Sequence, residues 1–159
     1  MSELLLLGAR VLGQDAADVL VRDGVIVEIG SVAKGSGKSS GDGARRTVDA
    51  DGLVLLPGLV DLHTHLREPG REDAETVASG SAAAAAGGFT AVLAMANTDP
   101  VVDTVEVAER VLDLGRAAGL VDVQPVGAVS KGLAGEELAE LGLMARSRAR
   151  VRVFSDDGR

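Results

Sequence analysis

The sequence has no cysteine, tryptophan or tyrosine, and only two phenylalanines among 159 residues. Without cysteine there can be no disulfide scaffold, thiolate zinc site or Cys nucleophile, so any metal chemistry must use His, carboxylates or a modified Lys. Without aromatic platforms, and with 16 basic against 24 acidic residues for a net charge of -8, the chain lacks both a stacking surface and a basic stripe for nucleic acid. Long hydrophobic runs are missing too. The longest early one, Leu4 to Leu7, follows Glu3 and is closed by Gly8, too short for a secretory signal or a membrane span. The expectation is a cytoplasmic protein with neither nucleic acid nor membrane as partner. What the chain does have is aliphatic: 46% of its residues are hydrophobic, which excludes intrinsic disorder and leaves Ala, Val, Leu and Ile to build the core.

Two patterns follow one another along the chain. From Leu4 to Leu56 short β-type runs (Leu4-Leu7, Val19-Arg22, Val25-Ile29, Leu53-Leu56) are separated by turn residues, and Asp23-Gly24 between two of them is a hairpin signal. Ala33 to Arg46, rich in Gly, Ser and Lys, reads as an exposed loop. After Pro57-Gly58 strands alternate with helical segments, which implies βα units and a parallel sheet. The expected strands are Leu59-Leu62 (buried), Phe89-Met95, Val121-Val126 and Val151-Phe154. The expected helices end at Gly87-Gly88 or span Asp103-Ala118 and Glu136-Arg146, and the run Ala82-Ala86 reads as a helix face packed closely on the sheet. The division is thus residues 1-56, a small β segment, and residues 57-159, an α/β segment. A (β/α)8 barrel typically needs about 250 residues, so four strands look like the first half of one, truncated after the fourth barrel strand. A small doubly wound domain is the alternative, but it leaves that fourth strand without its crossover.

The only two histidines, His63 and His65, stand directly after Leu59-Val60-Asp61-Leu62. A spacing of i, i+2 at the end of an extended strand points both imidazoles to one side, where they could bind zinc or a similar divalent ion. The bland reading is a pair of surface histidines in a loop. Asp156 and Asp157 follow the fourth strand, so one carboxylate could join the same rim and bridge two metal ions, or both could be solvated in an Asp-Asp-Gly turn. Arg67 and Asn97 also fall at strand ends. A guanidinium fork suits a substrate carboxylate and an amide suits an imide-like group, although surface Arg and turn Asn are common.

The stretch from Leu56 to Gly70, with His63-Thr64-His65-Leu66-Arg67-Glu68-Pro69-Gly70 at its heart, resembles the signature of the amidohydrolase superfamily and, within it, of class I bacterial dihydroorotases. Ala83 to Thr90, Asn97-Thr98, Ser130-Lys131-Gly132 and Phe154 to Gly158 resemble the following blocks of that family in the same order. The resemblance implies a metal-dependent (β/α)8 barrel preceded by a small β-sandwich segment that pairs with later parts of the whole protein. It implies that His63, His65 and Asp157 ligate one or two zinc ions per subunit, and that His65, Arg67 and Asn97 contact the substrate. Lys131 lies in a motif unlike that of the carboxylated bridging lysine of related enzymes and is left out of the metal set. The family usually has Met-Pro-Asn where this chain has Met95-Ala96-Asn97, a change that loosens the turn before Asn97.

The activity implied is reversible ring closure of N-carbamoyl-L-aspartate to L-dihydroorotate, a step of pyrimidine synthesis. The family's remaining histidine ligands and its general acid/base aspartate fall beyond Arg159, so the segment alone is expected to be inactive. The alternatives are a hydantoinase- or allantoinase-like enzyme, which has no substrate carboxylate for Arg67 to meet, and a non-catalytic dihydroorotase-like subunit that scaffolds aspartate carbamoyltransferase, which would lack the metal ligands. The resemblance leaves open a homo-oligomer or a complex with aspartate carbamoyltransferase.

Overall fold

The computed structural model describes residues 2-31 and 45-157, so residues 33-44 of the expected exposed loop lie outside the described residues. Two compact units are present, Met1-Pro57 and Gly58-Arg159.

In the first unit β1 (Glu3-Val11), β2 (Ala16-Arg22), β3 (Val25-Gly30), β4 (Arg46-Asp49) and β5 (Val54-Leu55) form one five-stranded sheet. The order is β3-β2-β1-β4, with β5 also on β1; β2 runs antiparallel to its neighbours, while β4 and β5 run parallel to β1. Asp23 and Gly24 both take positive φ, 48° and 81°, the type I′ geometry whose twist matches the strands it joins. Leu5, Ala9, Val19 and Leu20 are buried, but on the edge strand β3 the apolar side chains of Val25, Ile26, Val27 and Ile29 are all exposed. The described residues therefore supply one sheet, with no second layer of a sandwich among them. Sequence patterning missed β4, because Arg46-Thr47-Val48-Asp49 carries one aliphatic residue and becomes a strand by pairing with Leu4-Leu7.

The second unit is built on a parallel sheet, β6 (Leu59-Thr64), β7 (Phe89-Ala94) and β8 (Asp122-Pro125), with α1 (Val77-Ala86) and α2 (Val105-Ala118) as the crossovers. Thr76 caps α1: its Oγ1 accepts from Ser79 N–H at 3.0 Å while Ser79 Oγ accepts from Thr76 N–H at 3.0 Å, a reciprocal box that satisfies two orphan donors. The inward face of α1 is Val77, Gly80, Ser81 and Ala84, spaced i, i+3, i+4, i+7. The close-packing reading of Ala82-Ala86 holds for Ala84 alone, since the other four alanines are exposed. On α2 the same spacing buries Ala108, Val111, Leu112 and Gly115, and burying each of the larger aliphatics contributes about 1.5–3 kcal/mol. Gly115 is glycine because a Cβ there would lie 2.5 Å from Val123 Cβ on β8; its absence lets the helix sit directly on the strand.

Three expectations need correction here. Leu59, Val60 and Leu62 are 51%, 53% and 67% exposed, so β6 is not a buried strand: it pairs only with β7, and no described residue covers its other side. The third helix is shortened to α3 (Leu141-Arg146), because Lys131-Leu133 form a 3₁₀ turn, Gly135 takes φ 74° and Leu138 bridges antiparallel to Ser130. Finally, Val151-Phe154 is not a full strand. Phe154 makes one parallel bridge to Gly127, through Gly127 N–H to Val153 O at 3.0 Å and Ser155 N–H to Gly127 O at 2.9 Å. No helix among the described residues is long and apolar enough to cross a membrane.

Beyond α3, Arg148 fastens its segment to α2. Its guanidinium donates to both oxygens of Asp113, at 2.5 and 2.9 Å, and to Glu109 Oε2 at 3.3 Å. These bonds hold the Asp113 carboxyl below its ordinary pKa and keep the guanidinium charged more firmly than usual. A carboxyl whose folded-state pKa is depressed contributes stability above its unfolded pKa and loses it as pH falls through the folded value. We therefore expect Asp113→Asn to lower the thermal midpoint slightly near neutral pH, the pair being half exposed and screened. The gap to the parent should close as pH falls below the usual aspartate range. A gap independent of pH would show that the contribution is not electrostatic.

Candidate metal centre

The strand β6 ends at Thr64, so His63 is still extended while His65 lies one residue beyond. Period-two alternation then sends both rings to the same side. Their Nε2 atoms approach to 3.2 Å, with ring centroids 5.1 Å apart and planes at 67°. Asp61 Oδ1 accepts from His63 N–H at 3.0 Å, steadying the strand end. Asp157 arrives from the other side of the sheet order, and its Oδ2 lies 2.8 Å from His63 Nε2. One ligand atom from each of His63, His65 and Asp157 falls within 4.8 Å of the other two.

The Asp157 segment runs beside the continuation of β8, where a Cβ at Gly127 would stand 2.7 Å from the Phe154 ring and force that ring to shift.

The donor set fits a divalent ion. A tetrahedral zinc with bonds of about 2.0–2.1 Å spaces its ligand atoms by roughly 3.3 Å, the scale of the His63–His65 and His63–Asp157 separations. Orientation is supplied by Asn97, which follows β7: its Oδ1 is 2.8 Å from His65 Nδ1. With Nδ1–H donating to that oxygen, the Nε2 lone pair of His65 faces the cluster, as in metal sites where a neighbouring acceptor fixes the histidine tautomer. The loss of proline at Ala96 is offset by burial: Met95 and Ala96 are 4% and 0% exposed, and Met95 N–H donates to Thr64 O at 2.9 Å.

The other sequence candidates separate clearly. Arg67, two residues past His65, is partly buried and takes a left-handed φ of 60°. Lys131 is exposed and paired with Glu137. Asp156 is directed elsewhere than its neighbour Asp157 and receives Val129 N–H, Ser130 N–H and Ser130 Oγ–H. Sequence reasoning missed that role for Ser130, whose only signal was its place in the Ser-Lys-Gly block.

Residues 52-158 match the family described as Dihydro-orotase-like. The chain is 60% identical over 159 residues to the dihydroorotase of Streptomyces coelicolor, covering 100% of this chain and 36% of that one. It is 56% identical over 156 residues to the dihydroorotase of Mycobacterium tuberculosis, covering 98% and 35%. Among solved structures it is similar to the L-hydantoinase of Arthrobacter aurescens, with a TM-score of 0.63, 25% identity and coverage of 84% of this chain and 29% of that one. It is also similar to the dihydropyrimidinase of Brevibacillus agri, with a TM-score of 0.60, 26% identity and coverage of 80% and 27%. The chain spans about a third of the length of the curated relatives it matches. Those structural neighbours are amidohydrolase (β/α)8 barrels, so the parallel sheet and its two crossovers are part of that architecture. By family match, by identity along its whole length and by fold, the chain belongs to the dihydroorotase-like family.

Proposed function

We propose that the protein to which this chain belongs is a zinc-dependent cyclic amidohydrolase that interconverts N-carbamoyl-L-aspartate and L-dihydroorotate in the cytoplasm. The observation that carries the reading is 56–60% identity to dihydroorotases along essentially the whole chain; the convergence of His63, His65 and Asp157 supports it. In this reading His63, His65 and Asp157 hold the ion, which when bound polarises the amide carbonyl and lowers the pKa of water toward neutrality. Asn97 keeps His65 in the tautomer that offers Nε2 to the ion. Arg67, on the loop just past the ligands, would offer a planar fork that matches the substrate carboxylate, and the Asn97 amide would join it in holding the substrate. Residues 1-56 would belong to a composite β domain, with the apolar face of β3 covered by later parts of the protein; residues 57-159 would open the barrel.

The hydantoinase reading draws on the structural neighbours, but at 25–26% identity these argue for the fold more than for the substrate. The non-catalytic reading is disfavoured by the convergence of His63, His65 and Asp157, three side chains able to hold a metal ion. The test is a substrate panel with the full-length protein: dihydroorotate, hydantoin, dihydrouracil and allantoin at equal concentration. Ring opening of dihydroorotate should exceed the others by orders of magnitude, and a preference for a ring without a carboxylate would overturn the assignment.

A further inference from the structure

The Ser130-Lys131-Gly132 block and the first aspartate of the Asp156-Asp157 pair stand outside the metal cluster, yet the fold joins them to each other. Asp156 Oδ1 accepts from Val129 N–H at 2.8 Å and from Ser130 N–H at 3.0 Å, and its Oδ2 accepts from Ser130 Oγ–H at 2.6 Å. Ser130, only 4% exposed, in turn accepts from Gly135 N–H at 2.7 Å through the same hydroxyl. The loop holding Ser130 is itself anchored to the segment between β7 and α2: Ala128 N–H donates to Val102 O at 2.7 Å, Glu140 N–H to Asp103 O at 3.2 Å, and Gly132 N–H to Asp103 Oδ2 at 2.8 Å.

We propose that Asp156 and Ser130 form a clamp that positions Asp157 for the metal; the proposal rests on the reading of His63, His65 and Asp157 as ligands. Asp157 is exposed, and among the described residues its backbone is tied locally, through N–H to Ser155 Oγ at 3.1 Å. Segment 151-155 has a single bridge, at Phe154, in place of a strand ladder. A ligand carried on so short a pairing needs another source of rigidity, and a geometric tolerance of about 0.5 Å is what a metal site demands. The adjacent residue supplies it: charge-assisted bonds from Val129 N–H, Ser130 N–H and Ser130 Oγ–H fix Asp156, and because the next peptide unit carries Asp157, fixing one limits where the other can lie beside His63. Serine suits the hub because a hydroxyl both donates and accepts. Asp156 and Ser130 are thus positioning residues, acting on the ion only through Asp157.

The test uses the full-length protein and Co2+ as a probe, reading affinity by chelator competition and coordination by the visible absorption bands. Ser130→Ala and Asp156→Ala should weaken Co2+ binding by roughly tenfold or more, the usual penalty for lost outer support of a ligand, and should alter the bands at saturation. Asp156→Asn keeps an oxygen for the two backbone donors and should recover most of the affinity. His63→Ala is the control for the metal reading. If His63→Ala abolishes binding while Ser130→Ala keeps parental affinity and bands, the clamp is wrong and the metal reading stands. If Ser130→Ala lowers the thermal midpoint but leaves the bands unchanged, the network is only structural and the proposal fails. Unchanged Co2+ binding in His63→Ala overturns the metal reading and the clamp with it. Should Asp156→Ala not fold, Ser130→Ala, which removes one oxygen, carries the test.

Discussion

Replacing either His63 or His65 with alanine should strip the full-length protein of zinc and of turnover together. The two Nε2 atoms stand 3.2 Å apart on one strand end, and Asp157 completes the set through a carboxylate oxygen 2.8 Å from His63. Removing one imidazole leaves a single nitrogen and an exposed carboxylate from this part of the fold, a pair that binds divalent ions weakly in water. The loss in affinity should exceed the 10–100-fold typical of outer-sphere changes, and His65→Ala should also leave Asn97 Oδ1 without its ring partner. Metal content measured on purified variants, alongside helical circular dichroism as a check on folding, decides the matter. Parental zinc content in both folded variants would remove His63 and His65 from the metal site.

Arg67→Lys should lower kcat/KM for dihydroorotate by about 10–150-fold, the range that corresponds to losing a hydrogen bond of about 1.5–3 kcal/mol to a charged group. Lysine is the informative replacement. It keeps the positive charge and a side chain that tolerates the same left-handed φ of 60° no better and no worse than arginine, so the backbone strain is matched and only the fork is removed. Zinc content should stay at the parental level, since a guanidinium carries donors and no lone pair to offer a metal ion. Arg67→Lys with parental kcat/KM and full metal content would show that the carboxylate is held elsewhere; a fall in metal content would show that Arg67 supports the ion.

Much of the site was legible because its chemistry is local in sequence. His63 and His65 are two residues apart, and strand alternation alone predicts that they converge. The Asp23-Gly24 turn and the spacing of Ala108, Val111, Leu112 and Gly115 on α2 are likewise short-range signals that tertiary context left intact. The misreadings have a common cause in long-range pairing. β4 exists because β1 offers its edge to four mostly polar residues, and Glu136-Glu140 are not helical because Ser130 captures Leu138 and Lys131 N–H binds Glu137 O. Leu59, Val60 and Leu62 read as buried because they are apolar, but burial depends on neighbours that the described residues do not include.

By itself, then, the sequence determined the order of a β segment and βα units, the histidine pair and the arginine beside it. All of these follow from periodicities of two and 3.6 residues and from residue chemistry. Residue chemistry alone does not distinguish Asp156 from Asp157 as neighbouring carboxylates; the family resemblance pointed to Asp157, and the tertiary structure gives each carboxylate a different partner. Phe154 bridges Gly127, and just beyond it Asp156 binds into the Ser130 network while Asp157 lies 2.8 Å from His63. The same holds for Asn97, whose contact with His65 joins the ends of two parallel strands 32 residues apart in the chain. Hydrogen bonds across such a separation depend on which strands are adjacent, and adjacency is a property of the packed sheet.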